Sequence, residues 1–253
     1  MELKQLAQDL SIFQKLNLER QPVGIKFLYS KPGGLPQLDK QLGLCEMFRE
    51  AQERDEPFYI SKENENCTGK LPMGWMEMPA YAEAGMIGEK LEIFQDARAN
   101  RRLFKEFYMF KPGLVNYIAF SRLDKLTFEP DLLYVIGNPS QAEIVLRAIS
   151  YSTGEIWEPK LTSVLGCSWL LVYPFETGKV NYTMTGLHFG MKARKVYPEG
   201  LVQISIPFNW IPTIVQSMKE MKWVPFGYAM GREEWLKAEK KAYTELVEST
   251  TAQ

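Results

Sequence analysis

The sequence contains the stretch Gly113-Leu114-Val115-Asn116-Tyr117, and the pattern returns farther along as Gly178-Lys179-Val180-Asn181-Tyr182. An apolar segment follows each copy, from Leu132 to Gly137 in the first and from Leu201 to Pro207 in the second. Short runs of this composition, rich in Val, Ile and Leu, are typical of buried β-strands. The recurrence indicates an internal duplication in which each copy supplies two strands; a chance match of short segments is the alternative.

A helix is predicted after each strand pair. Pro139 and Pro212 lie near the first turns of these helices, where the missing amide proton of proline is tolerated. The unit strand-strand-helix is therefore predicted twice, over about residues 113–150 and 178–222. We expect a single α+β domain over residues 1–253, in which two related halves form a mixed sheet and helices pack on its faces.

The flanking sequence predicts further elements. Apolar residues at helical spacing indicate an N-terminal helix from Leu3 to Leu18. The segment from Val23 to Tyr29 is rich in β-branched and aromatic residues and is predicted to be a strand. Cys45 is expected at the start of a second helix. A longer helix is predicted from Ile87 to Phe107, and an amphipathic helix from Gly231 to Glu248.

The composition is that of a chain that can bury a large core, because 45% of its residues are apolar and 24% are charged. Its formal net charge of -1 gives no overall field that would attract nucleic acid or an anionic membrane. The chain has no run of about 18 apolar residues, so no membrane span is expected, and its first residues lack the apolar stretch of a signal peptide. We expect a cytoplasmic protein without a nucleic-acid partner.

The chain has three cysteines, Cys45, Cys67 and Cys167, and one histidine, His188. An odd number of scattered cysteines does not fit a secreted disulfide framework. A single histidine excludes sites that need two histidines within one chain. Thiolate and imidazole suit iron–sulfur clusters and Zn²⁺, so these four side chains are candidate metal ligands. The alternative is that each cysteine is a small buried apolar residue.

Residues 62–88 have no helical or strand periodicity and are rich in glycine, proline, tryptophan and methionine. A long irregular loop inside a compact domain is often functional, because it can line a site. Cys67-Thr68-Gly69 begins this loop, and Gly69 would let a bulky cofactor approach the backbone. Trp75 is a candidate contact of such a cofactor, unless it fills a gap in the core.

The second copy of the duplication is longer than the first. The repeated valine lies 17 positions before the following strand in the first copy and 21 positions before it in the second. The additional residues fall within Thr185 to Arg194, the segment that contains His188. Glycines in this segment permit tight turns and close backbone approach, which indicates that the unit was opened to make room for a ligand. Arg194 is a candidate for binding a phosphate or carboxylate there.

Several motifs follow one another in a distinctive order. They are Pro22-Val23-Gly24-Ile25-Lys26-Phe27, Cys67-Thr68-Gly69, Met73-Gly74-Trp75, Gly166-Cys167 with the downstream Pro174, the segment Thr185 to Arg194, and Val202 to Pro207. This series resembles the uncharacterised ArCR family of archaeal and bacterial proteins over roughly Leu3 to Met221. The resemblance implies recurrent cysteines at the positions of Cys67 and Cys167, and commonly a further cysteine where this chain has His188. It therefore implies that His188 replaces a thiolate ligand, or that the site has been lost.

Together these features predict a cytoplasmic protein that binds a redox cofactor through Cys67, Cys167 and either Cys45 or His188, with an iron–sulfur cluster as the leading candidate and a redox protein as its partner. The alternatives are a haem with His188 or a cysteine as axial ligand, a zinc site, and a metal-free module that binds a small molecule or regulates. A homodimer formed through exposed sheet edges is compatible with each of them. The sequence leaves open whether the protein is an enzyme.

Overall fold

The computed structural model describes residues 9–251, with side chains to residue 250. Their backbone forms two compact units, residues 9–219 and residues 220–251. The single domain expected from the sequence over the whole chain stays a prediction. The predicted N-terminal helix falls partly on residues outside the described range, and within that range Ser11–Leu16 forms a 3-10 helix.

One sheet of six strands lies in the first unit. The strands are β1 (Val23–Leu28), β2 (Phe58–Ile60), β3 (Tyr117–Arg122), β4 (Leu132–Gly137), β5 (Asn181–Met184) and β6 (Val202–Pro207). Their order in the sheet is β2-β3-β1-β4-β6-β5, and each neighbouring pair runs antiparallel. The α+β class is confirmed, but the sheet is antiparallel rather than mixed. The reason is that β1, from outside the duplication, lies between β3 and β4 and pairs antiparallel with both.

The helices surround this sheet or follow it in the chain. They are α1 (Leu44–Glu53), α2 (Ala80–Glu83), α3 (Met86–Lys90), α4 (Ala97–Glu106), α5 (Pro139–Thr153), α6 (Tyr173–Thr177), α7 (Phe189–Ala193), α8 (Ile211–Glu220) and α9 (Arg232–Thr251). The helix expected from Ile87 to Phe107 is interrupted between α3 and α4, where Glu92 has a left-handed φ of 58°. Among the helices described, none combines the length and the apolar character needed to cross a membrane.

The two segments predicted to be copies each contain two strands and a following helix, with α7 inserted between the strands of the second, but they differ in strand pairing. The first copy contains β3, β4 and α5, and β1 separates its two strands. The second contains β5, β6 and α8, and its two strands pair directly. The copies meet where β4 pairs with β6, with Leu133 opposite Ile206. Asn138 begins α5 by accepting a hydrogen bond from the backbone N–H of Gln141 at 3.0 Å, as expected for an N-cap residue.

The main core lies between α1 and one face of the sheet. Phe48 of α1 stacks on Tyr134 of β4 with ring centroids 4.2 Å apart, and it meets Phe120 of β3 edge-on at 6.3 Å. Leu133 and Val135, whose side chains alternate with that of Tyr134, are buried as well. Both faces of this central strand are therefore covered. The aromatic packing fixes α1 against the sheet and so fixes the position of its N-terminal end.

Candidate functional site

A cavity of about 340 Å³ lies beside the N-terminal end of α1. Six of the seven site residues predicted from the sequence line it: Cys45, Cys67, Gly69, Cys167, His188 and Arg194. We call the part of the lining that carries Cys45, Cys67, Cys167 and His188 the thiol wall. The part formed by α2, α3, α4 and the residues between them is the helical wall. The seventh predicted residue, Trp75, lies elsewhere: its indole N–H donates to the backbone oxygen of Val115 at 2.7 Å.

Cys45 and Cys67 are brought together by backbone pairing just before each of them. The N–H of Leu42 donates to the oxygen of Asn64 at 2.9 Å, and the N–H of Asn66 donates to the oxygen of Leu42 at 3.2 Å. This isolated parallel bridge places the start of α1 beside the segment that ends at Cys67. Cys45 lies in the first turn of α1, as predicted.

Glu65 is a buried carboxylic acid in this wall, with 1% of its surface exposed. Its Oε1 accepts a hydrogen bond from the backbone N–H of Cys67 at 2.8 Å. Burial raises the pKa of Glu65 to about 8, although hydrogen bonds from the backbone of Cys67 and Leu44 favour the charged form. Its other oxygen, Oε2, has no hydrogen-bond partner among the described residues.

Arg194 ties three segments of the thiol wall together. Its Nη1 donates to Glu46 Oε2 at 2.6 Å and to Asn66 Oδ1 at 3.1 Å. The carboxylate of Glu46 also accepts from the backbone N–H of Gly43 at 2.8 Å, at the start of α1. The carboxylate that Arg194 binds is therefore one from the same chain, and the guanidinium holds the end of α7 against α1 and against the segment before Cys67.

Cys167 lies in a stretch of irregular backbone. Leu165 has a left-handed φ of 56°, which is uncommon for a branched side chain. Directly after Cys167, residues Ser168–Val172 form a π-helix, a conformation that is frequent at functional sites. The hydroxyl of Ser168 donates to the backbone oxygen of Tyr108 at 2.7 Å and accepts from its N–H at 3.0 Å, which anchors the turn. Burial raises the pKa of the Cys167 thiol well above its usual value.

His188 precedes α7 and is buried, with 3% of its surface exposed. A Cβ at Gly166 would lie 2.7 Å from Nδ1 of this imidazole, so only glycine lets the ring pack there. Neither ring nitrogen has a hydrogen-bond partner within residues 9–250. Burial lowers the pKa of His188 to about 4, so the imidazole is neutral at physiological pH and can act as a ligand.

The helical wall is apolar apart from two side chains. Its lining residues include Ala82, Ile87, Leu91, Ile93 and Phe104, and its polar groups are the amide of Asn100 and the hydroxyl of Tyr81. Its three helices are joined closely at Gly85, where φ is 82° and a Cβ would lie 2.0 Å from the backbone oxygen of Ala97.

Two polar residues of the cavity have no counterpart in the sequence analysis. Asn100 is part of an ordinary amphipathic helix, and Glu65 is one of many acidic residues in the chain. What distinguishes these two residues is that their side chains are buried. A single sequence has no pattern that predicts the burial of a polar side chain. Gly85 and Gly88 are the one local signal, because glycines at such spacing indicate close backbone approach.

All three cysteines are free thiols. Burial raises the pKa of Cys45 to about 12, and the nearby Cys67 and Glu46 contribute to the increase. In the part of the chain that the structure describes, no three side chains of His, Cys, Asp or Glu are grouped so that they could hold one metal ion. The thiols and the imidazole thus share one cavity without converging on a single point.

Comparison with known proteins identifies the family of this chain. The sequence profile of the DUF169 family, described as uncharacterised ArCR, matches residues 11–217, so the chain belongs to this family. An uncharacterized protein of the archaeon Methanocaldococcus jannaschii is 23% identical over 230 residues, which cover 88% of this chain and 98% of the relative. No solved structure matches the chain. The resemblance predicted from the order of motifs is confirmed.

Proposed function

We propose that the protein binds a redox cofactor, an iron–sulfur cluster, in the cavity between the thiol wall and the helical wall. One observation carries the proposal: every cysteine of the chain and its single histidine line the same cavity, although they lie between positions 45 and 188. Four soft or borderline ligands are the number that such a cluster takes, and imidazole can replace thiolate in some of them.

The placement of the ligands favours a cluster over a single ion. A structural Zn²⁺ needs its ligands within about 2.0–2.3 Å of one point. In a [4Fe–4S] cluster, by contrast, each ligand binds a different iron atom, so the ligands surround a volume. Cys45 and Cys67 reach the cavity from neighbouring segments, whereas Cys167 and His188 come from two others. Ligands that surround a cavity of this size fit the second arrangement.

The pKa values of the lining groups determine which protons a bound metal cofactor would displace. Burial raises the pKa of Cys45 to about 12 and raises the pKa of Cys167 well above its usual value, so without a metal both thiols carry protons. Binding of iron would displace these protons, because thiolate is the ligating form. The neutral imidazole of His188 needs no deprotonation. The apolar surroundings exclude water, and exclusion of water is one of the factors that set a cluster's reduction potential.

The cellular setting is part of the same proposal. Free thiols persist in a reducing compartment, so we place the protein in the cytoplasm. A redox cofactor also implies a second protein that supplies or accepts its electrons. The cofactor is the testable part, because it has an optical signature.

The test is anaerobic purification of the full chain, followed by an optical spectrum and by assays for iron and acid-labile sulfide. We expect a visible absorption band and both elements in the protein. Cys67→Ala and Cys167→Ala should lose most of the iron, whereas Val164→Ala, which shortens another lining residue, should keep it. A haem spectrum, bound zinc without colour, or a protein without metal after reconstitution with iron and sulfide would each overturn the proposal.

A second variant tests the role of His188. In His188→Cys a thiolate would replace the imidazole at the position where the family resemblance implies a cysteine. Replacing imidazole by thiolate lowers the reduction potential of a cluster. We expect this variant to keep its iron and to have a lower midpoint potential than the natural chain. An unchanged potential would show that His188 is not a ligand.

A further inference from the structure

The side-chain amide of Asn100 is buried with half of its hydrogen-bonding capacity unused. The residue is 1% exposed and lines the cavity from the helical wall. Its Nδ2 donates to the backbone oxygen of Gly85 at 2.9 Å, while Oδ1 has no partner among the described residues. Reversing the amide would break the bond to Gly85, so the free atom is the carbonyl oxygen. A buried acceptor in this state is destabilising unless a ligand or water donates to it.

Glu65 presents a second unpaired oxygen from the thiol wall. Its Oε1 is held by the backbone N–H of Cys67, but Oε2 is buried in the cavity lining without a partner within residues 9–250. Asn100 and Glu65 come from different walls of one cavity. Neither belongs to the four proposed cofactor ligands, so a cofactor held by those ligands would leave both oxygens without an assigned role.

The remaining lining is mostly hydrocarbon. Leu44, Phe48, Leu71 and Leu170 line the cavity together with the apolar residues of the helical wall. A dry cavity of about 150 Å³ in another protein is known to hold benzene, and this one is about 340 Å³. An organic molecule with one ring therefore fits, with space remaining beside the thiols.

From these three observations we infer that the cavity binds a small, largely apolar organic molecule that carries an N–H or O–H donor, which hydrogen-bonds to Asn100 Oδ1. Pockets for small molecules combine a hydrocarbon lining with a few polar groups that fix orientation, and this cavity has that composition. The inference extends the proposed function from a cofactor to a second ligand in the same cavity. It does not require that the cofactor be present.

The test uses three probes of similar shape: benzyl alcohol, benzylamine and toluene. Their binding to the full chain is measured by calorimetry or by ligand-detected NMR, on protein as purified and after iron removal. We expect at least one donor-bearing probe to bind roughly threefold to tenfold more tightly than toluene, which is the effect of one net hydrogen bond. Equal binding of all three probes, or no binding, would overturn the inference and would mean that water satisfies the two oxygens.

Variants locate the interaction. Asn100→Leu keeps the size of the side chain and removes the acceptor, so the preference for the donor-bearing probe over toluene should disappear. Asn116→Leu is the matched control, because Asn116 donates to the backbone oxygen of Tyr29 at 2.9 Å and does not line the cavity. That variant should keep the preference.

A measurement on the natural chain keeps the test decisive if Asn100→Leu does not fold. The side-chain amide resonance of Asn100 should shift with benzyl alcohol or benzylamine and shift much less with toluene. Equal shifts with all probes would contradict a hydrogen bond at Oδ1. Iron content is recorded in the same samples. A protein without iron that still prefers donor-bearing probes would refute the proposed function and leave this inference standing.

Discussion

The thiol wall and the helical wall enclose the same cavity but are built differently. The thiol wall is attached to the central sheet through α1, whose Phe48 stacks on Tyr134, and the guanidinium of Arg194 holds α7 against α1. The helical wall consists of three short helices joined by close backbone contacts at Gly85 and Gly88. The proposed metal ligands lie on the first wall, and the second wall is mostly hydrocarbon with the amide of Asn100 and the hydroxyl of Tyr81. The proposed metal ligands and the apolar residues that close the cavity thus lie in separate parts of the fold.

The largest effect is expected from Gly85→Ala in the helical wall. The position has a φ of 82°, and the new Cβ would lie 2.0 Å from a backbone oxygen and 2.6 Å from a backbone nitrogen of α4. The left-handed conformation and the clash together should lower the free energy of unfolding by about 3–5 kcal/mol. Urea denaturation measures this change, and hydrogen exchange of α4 amides shows whether the helical wall loosens first.

Gly113→Ala is the control for that substitution. Gly113 has a similar φ of 79°, but no atom lies within 4 Å of the added Cβ. Gly113→Ala should lower the free energy of unfolding by about 1–2 kcal/mol, because only the backbone conformation is unfavourable. If both variants lose the same stability, close packing at Gly85 does not hold the helical wall together.

Acid should destabilise the metal-free protein through His188 of the thiol wall. Burial lowers the pKa of His188 from 6.5 to about 4. The unfolded chain therefore binds a proton at higher pH than the folded chain does, and the stability present above pH 6.5 is lost as the pH falls towards 4. The loss attributable to this residue is about 3 kcal/mol. Denaturation of the natural chain and of His188→Gln across this range measures it, and equal pH dependence would contradict the prediction.

A smaller effect is expected from Gly166→Ala. The added Cβ would lie 2.7 Å from Nδ1 of His188 and displace the imidazole. We expect the free energy of unfolding to fall by about 1–3 kcal/mol and the iron content to fall severalfold. Gly190→Ala is the control in the same lining, since no atom lies within 4 Å of its Cβ. Gly190 lies within α7, so Gly190→Ala should leave the free energy of unfolding unchanged or raise it by up to about 1 kcal/mol. If the iron content of Gly166→Ala is unchanged, His188 does not take part in metal binding.

The smallest effect is expected from Arg194→Gln. The pair with Glu46 is partly exposed, with 30% and 15% of the two side chains accessible, so its loss should cost about 1 kcal/mol. Iron content should stay the same, because Arg194 holds segments together and is not a proposed ligand. Arg98→Gln is the control on the helical wall, where the side chain is 93% exposed and no measurable change is expected. Thermal unfolding with iron analysis checks both variants.

The local elements were largely predictable from sequence. β1, the start of α1 and the strand-strand-helix order of the two copies follow from hydrophobic periodicity and proline placement, which are properties of neighbouring residues. Strand pairing was harder, because it depends on contacts between distant segments. Nothing near Val23 indicates that β1 would lie between the two strands of the first copy, and the expected mixed sheet was wrong for that reason.

The candidate site likewise contains residues that could be predicted from the sequence and residues that could not. The residue types of Cys45, Cys67, Cys167 and His188 made them candidates at once, since few other side chains bind soft metals. Trp75 was a candidate on the same loop, but it bonds to Val115 outside the cavity. The buried polar groups of Glu65 and Asn100 were missed, because burial is decided by the surrounding chain and not by the residue itself.

The sequence by itself determined the inventory of this protein: an α+β chain of the ArCR family with three thiols, one imidazole and a recurring Gly-x-Val-Asn-Tyr pattern. Only the tertiary structure decided that these groups share a cavity and that a wall of short helices encloses it. The physical reason is that ligand types and local periodicity are encoded residue by residue. Proximity between positions as distant as 45 and 188 arises from the packing of the whole first unit.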